Sequence, residues 1–208
     1  MLTFFGRNSG DGLVTEAAGT VQSVRGYWEA LRENGGIPRR ADVDPRGMAS
    51  CLEHVFLLER IAPGQARFRL AGMHLTDLMG MDVRGMPLSA LFDPTARARL
   101  AQEVELVFAQ PAILELGLEA ERGLGRKALA GRMLLLPLRG DAREPGLALG
   151  CLVTEGAIGR APRRFVMTRT LLESLQTSKP QPEVVETAKP PVERASQHPW
   201  LRLVSSND

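Results

Sequence analysis

Four charged residues in one short span, Arg39, Arg40, Asp42 and Asp44, are the strongest candidates for chemistry in this sequence. Guanidinium and carboxylate groups so close together could hold an anionic ligand or a charged partner. They could equally pair with one another through charge-assisted hydrogen bonds. Pro38 and Pro45 fix the backbone at both ends of the span and favour the second use. On that reading Trp28, Pro38, Arg40, Asp42 and Asp44 form a structural bracket that can also serve as a partner surface. His74 is a second candidate, as a haem ligand or a pH switch. The competing reading is a partly exposed, hydrogen-bonding histidine, and no Cys-x-x-Cys-His attachment motif accompanies it.

Other chemistry is weakly supported. The chain carries no Gly-x-x-x-x-Gly-Lys, no His-Glu-x-x-His and no Gly-x-Ser-x-Gly, so no enzyme is expected. Gly123-Leu124-Gly125 lacks the spacing of a dinucleotide loop and reads as a hairpin turn. Three histidines and two cysteines, widely spread, do not suggest a metal site. Cys51 and Cys151 read as reduced thiols in preference to an oxidised pair.

These residues must be placed by the elements around them. Val21, Val24, Trp28 and Leu31 step by three and four, which predicts a helix with one apolar stripe. Asn34-Gly35-Gly36 ends it. Asp44 and Pro45 predict a capped helix from Pro45 to about Glu53. Val55–Ile61 and Arg67–Leu70, joined through Pro63-Gly64, predict a hairpin with Phe68 and Leu70 inward. Short helical pieces follow from Met73 to Phe92. Asp93-Pro94 then caps a longer helix to about Ala109, striped by Leu100, Val104, Val107 and Phe108. Alternating runs around Leu114–Leu118, Leu134–Leu138 and Leu147–Val153 predict three more strands. Phe165, Met167, Leu171, Leu172 and Leu175 suggest one last short helix within 157–175. The sum is an α+β fold with a five-stranded antiparallel sheet, helices on one face and an N-terminal flanking helix. Residues 1–20 read as a flexible start, 21–54 as flanking helix and connector, and 55–156 as the body. Residues 176–208 read as a disordered, Pro-rich tail. The tail ends in an apolar peptide with Trp200, Leu201 and Leu203, suited to a partner's groove.

The 208 residues are 44% hydrophobic but only 5% aromatic, so the core must be mainly Leu, Val, Ala and Met. A net charge of +2 gives no electrostatic reason to expect nucleic acid. No apolar window is long enough for a transmembrane helix, and the first residues do not resemble a signal peptide. A cytoplasmic protein without direct membrane insertion is expected.

The order of strands and helices resembles the PAS fold. The sequence is similar to a family of bacterial, mainly alphaproteobacterial, single-domain PAS proteins of unassigned function. Tyr27-Trp28, Leu31-Arg32, Ile37-Pro38, Arg40, Asp42, Asp44-Pro45 and Met48 carry the likeness, as do Arg67 through Gly72, Leu78, Gly80, Asp82, Gly85, Leu91-Phe92, Gly131 and Leu135 through Leu138. It covers about Val21 to Glu155. The resemblance implies a sensory or regulatory domain that acts on signalling proteins, with homodimerisation through the N-terminal helix or a small-molecule ligand as further options. The ligand wall would then draw on Phe68, Leu70, His74, Met79, Met81, Leu116 and Met133, although the same residues could simply fill the core. The Asn-Cys-Arg-Phe motif of flavin-binding light sensors is absent, and no cofactor is expected.

Overall fold

A computed structural model describes residues 9–140 and 146–175. Helix α1 (Ser9–Ala30) leads into a connector and a kinked 3-10 segment, Pro45–His54. Strands β1 (Val55–Ala62) and β2 (Gln65–Ala71) follow, then helix α2 (Met73–Met79). Short 3-10 turns lead to helix α3 (Arg97–Ala109). Strands β3 (Ala112–Ala120), β4 (Ala130–Leu138), β5 (Leu147–Glu155) and β6 (Phe165–Ser174) complete the order. All neighbouring strands run antiparallel in one sheet ordered β2-β1-β5-β4-β3-β6.

Both faces of this sheet are covered. On the inner face Phe56, Leu58, Phe68, Leu114, Leu116, Met133, Leu135 and Leu152 pack with α2, the 3-10 turns and α3. On the outer face Leu57, Leu134, Leu136, Leu138, Leu149 and Cys151 pack with Ala17, Val21, Val24 and Trp28 of α1 and with Met48. This explains the uninterrupted apolar runs of β4 and β5, which are buried nearly throughout. A strand roofed on both sides has no solvent face to give to polar residues. Strand β3 instead alternates, with Glu115, Gly117 and Glu119 only partly covered.

Three expectations are corrected. The sheet has six strands, not five, because Phe165–Ser174 is a strand and not a helix. A bulge opposite Gly117/Leu118 inserts Thr168 into β6. That extra residue breaks the period-2 alternation and leaves the apolar residues at helix-like spacing. The N-terminal helix begins at Ser9, inside the stretch expected to be flexible. Leu70 does not point inward with Phe68. Leu57 pairs with Leu70 but Leu58 pairs with Phe68, so Arg69 is extra and the chain changes face there. Leu70 is 53% exposed.

Asp44 caps its segment by accepting from the Arg46 amide at 2.9 Å. Asp93 likewise accepts from the Thr95 amide at 2.9 Å. Gly123 and Arg126 bond each other's backbone in a tight turn with Leu124 at its tip.

Candidate functional site

The connector after α1 is held by backbone bonds. The Trp28 indole donates to the Pro137 carbonyl at 3.0 Å, and the side chain is wholly buried. The Arg32 guanidinium sits 5.2 Å from the indole centre. The Tyr27 hydroxyl donates to the Asp44 carbonyl at 3.0 Å and accepts from its amide at 2.7 Å. The amide of Arg139 donates to the Pro38 carbonyl, and that of Arg40 to the Arg139 carbonyl. Asp42 accepts from the Arg39 amide at 3.2 Å. Among the described residues no ion pair joins these arginines to these aspartates. The carboxylates satisfy backbone N–H groups instead, as expected where short helical turns leave donors free.

The connector and the Pro45–His54 segment form one side of an apolar groove of about 730 Å³ at the β2 end of the sheet. Met48, Leu52, Leu57, Leu70, Met73 and Leu149 line it, with Arg40, Glu53, Asp82 and Arg84 among the polar lining. Leu52, Leu70 and Met73 are 44%, 53% and 65% exposed, a clustering of large apolar side chains that water does not favour. Arg84 is paired with Asp82, which holds the carboxyl below its ordinary range. Among the described residues Arg40 has no carboxylate partner. The groove can therefore bury an apolar body and meet one negative charge.

The bulge in β2 explains how sequence reasoning missed this site. It moves Leu70 from the core to the groove. Leu52 and Met73 carry no signal of their own, since a single exposed apolar residue is ordinary.

The expected inner-face pocket is divided by the structure. Phe68, Met79, Leu116 and Met133 come together, but they are at most 5% exposed and belong to the core. At zero exposure Leu116 and Met133 have no water-sized void against them. Leu70 and Met81 lie outside, both more than half exposed. His74 stands at the start of α2. Its Nε2 lies 3.1 Å from the Thr154 hydroxyl, and its ring meets the ring of His54 edge-on at 4.6 Å. Burial, aided by His54, pushes its pKa down to about 4, against the smaller upward pull of Asp77 and Glu53. A ring so held is a neutral hydrogen-bonding group near neutral pH. Trp200, Leu201 and Leu203 lie outside the described residues.

Sequence reasoning also passed over Arg163, which is fully buried. Its guanidinium donates to the carbonyls of Ile158, Glu121 and Lys127. Burial lowers its pKa. It ties the β5–β6 connection to the β3–β4 hairpin, and nothing in Arg-Ala-Pro-Arg-Arg marks which arginine would do so. Among the described residues no group of three or more His, Cys, Asp or Glu side chains is placed to hold a metal ion. Nor is any helix there long and apolar enough to cross a membrane.

A family model described as PAS domain matches residues 17–153. No curated protein matches the chain. Among solved structures, a fungal LOV domain photoreceptor, described with a pathway integrating blue light and oxidative stress, is 17% identical. The match covers 71% of this chain and 100% of that one, at a TM-score of 0.39.

Proposed function

The chain belongs to the PAS domain family, and from that premise we propose that it is a non-catalytic sensory and regulatory module acting by protein–protein contact in bacterial signalling. One contrast carries the reading. The space between the inner sheet face and the short helices is packed with Phe68, Met79, Leu116 and Met133. The apolar opening lies elsewhere, at the β2 end of the sheet, between the Pro45–His54 segment, β2 and α2. A domain arranged this way favours an external partner over an enclosed ligand. The occupant we assign is an amphipathic segment of a signalling protein. Its apolar side would cover Leu52, Leu70 and Met73, and a carboxylate would meet Arg40. Burial of the exposed apolar surface supplies the affinity, and the Arg40 guanidinium sets the orientation.

The second reading is a small-molecule sensor using the same groove. Its size favours that reading, because 730 Å³ falls within the usual range for ligand sites. An amphipathic carboxylate would suit it. A photo-crosslinking residue introduced at Leu70 in the native host separates the two. The protein-contact reading expects one defined protein adduct that is lost in Arg40→Glu, while a crosslinker at Leu124 gives none. Unchanged adducts in Arg40→Glu, or the same adducts from Leu124, would sink it.

A further inference from the structure

We propose that β6 is a self-pairing edge through which two copies of the chain join their sheets. The two ends of the sheet differ. At the β2 end the Phe68 amide donates to the Met86 carbonyl and the Gly85 amide to the Phe68 carbonyl, so the following loop closes that edge. At the other end β6 pairs with β3, and among the described residues its outer edge is bonded only at Phe165, which bridges Phe92 and accepts from the Asp93 amide. From Val166 to Ser174 it presents an open edge with Val166, Leu171 and Leu172 at 40–43% exposure. An open edge of that length is a template for another strand.

The sequence of β6 selects a second copy as that strand. Arg169, Leu171 and Glu173 share one face, opposite Gly117, Glu115 and Ile113 of β3. An antiparallel pair with its two-fold axis at Leu171 places Leu171 opposite itself. Arg169 then faces Glu173 of the second copy, twice over, and on the other face Thr170 meets Leu172. Moving the axis to Thr170 would set Arg169 against Leu171 and lose both charge pairs, so the residues favour one register. Glu173 is already held by Arg25 of its own α1. Arg169 has no ion-pair partner among the described residues. In the pair each Glu173 lies between two guanidinium groups. The apolar stripe of α1 is not available for this purpose, because Val21, Val24 and Trp28 are buried on the chain's own sheet. Strand β6 lies beyond the matched family region, which ends at residue 153. The inference uses none of the groove residues, so either can fail alone.

Sedimentation velocity on the full chain tests it, from about 10 µM to about 1 mM, where a small polar interface becomes visible. The wild type should dimerise within that range. Arg169→Glu and Glu173→Arg should each weaken the dimer by tenfold or more. Combining them should restore it, with the charges exchanged. Arg25→Ala should leave it in place, which separates the intermolecular pair from the bond within one chain. All three substitutions fall on polar residues that the core does not use, and far-UV circular dichroism checks the fold. A wild type that stays monomeric, single variants that dimerise as well as wild type, or a double variant that does not recover would each overturn the proposal.

Discussion

Trp28 Nε1 donates to the carbonyl of Pro137 at 3.0 Å across 109 positions of sequence. The indole N–H gives this buried strand carbonyl a donor from α1, while its rings join Leu136 and Leu138 in the outer core. Helix α1 is thereby fixed to the sheet by a specific bond as well as by burial.

Trp28→Ala should cost about 3–5 kcal/mol, the range for deleting a buried aromatic side chain. Trp28→Phe keeps most of the packing but leaves the Pro137 carbonyl unpaired in the interior. It should cost about 1–3 kcal/mol. Urea unfolding of both variants checks the ranking, and equal losses would show that the bond adds nothing to the packing.

His74 predicts an acid-sensitive stability. Its pKa in the folded state is about 4, below the ordinary histidine value, so the unfolded chain binds this proton more readily. The stabilisation is complete above about pH 6.5 and is lost as pH falls from there toward 4. The groups facing the ring are His54, Asp77 and Glu53, with Thr154 as the neutral partner. His74→Gln should flatten the part of the pH–stability curve between about pH 6.5 and 4. An unchanged slope in that variant would remove His74 as the cause.

Arg163→Met should be among the most damaging single changes outside the large apolar core. It strips donors from the carbonyls of Ile158, Glu121 and Lys127, and each carbonyl left dry costs about 1–3 kcal/mol. A total of roughly 3 kcal/mol or more is expected in chemical denaturation. A loss below about 1 kcal/mol would mean that water replaces the guanidinium without penalty.

The two thiols should resist modification in the native state. Cys51 and Cys151 are both free and buried. Burial raises the pKa of both, and a smaller contribution from Cys51 helps take Cys151 to about 12. The reactive thiolate is therefore scarce at neutral pH. Alkylation should be slow in buffer and rapid in denaturant, as mass spectrometry of the labelled protein would show. Fast native labelling at Cys151 would contradict the packing of β5.

Much of the fold was legible because local rules and tertiary packing agree. Asp44-Pro45 and Asp93-Pro94 announce helical starts by chemistry that needs no tertiary context. The stripe of Val21, Val24 and Trp28 could only belong to a helix with one buried face. Where legibility failed, a bulge intervened. In β6 the extra Thr168 made a strand look helical, and in β2 the extra Arg69 sent Leu70 to the wrong face. Both errors have one cause, since a strand's side-chain parity depends on every residue being in register. Leu70 was thus legible as a notable residue but not as a groove residue. Arg163 was invisible because two of its carbonyl partners, Glu121 and Lys127, come from the β3–β4 connection, 42 and 36 positions away.

Gly150 offers a check on the inner core. A Cβ there would lie 2.0 Å from Cε2 of Phe56, whose ring occupies the space the glycine leaves open. Gly150→Ala must displace that ring within a packed interior and should cost about 1–3 kcal/mol. A neutral result would reveal spare room beside Phe56, contrary to the close packing of its ring on Gly150.

With Phe68, Met79, Leu116 and Met133 filling the inner face, the proposed module works through external contact and not through an enclosed ligand. Native mass spectrometry of the full chain purified from its own host tests it most directly. The domain should carry no small molecule and appear at the polypeptide mass alone or at a multiple of it. A stoichiometric bound compound, retained through purification and released on unfolding, would contradict it.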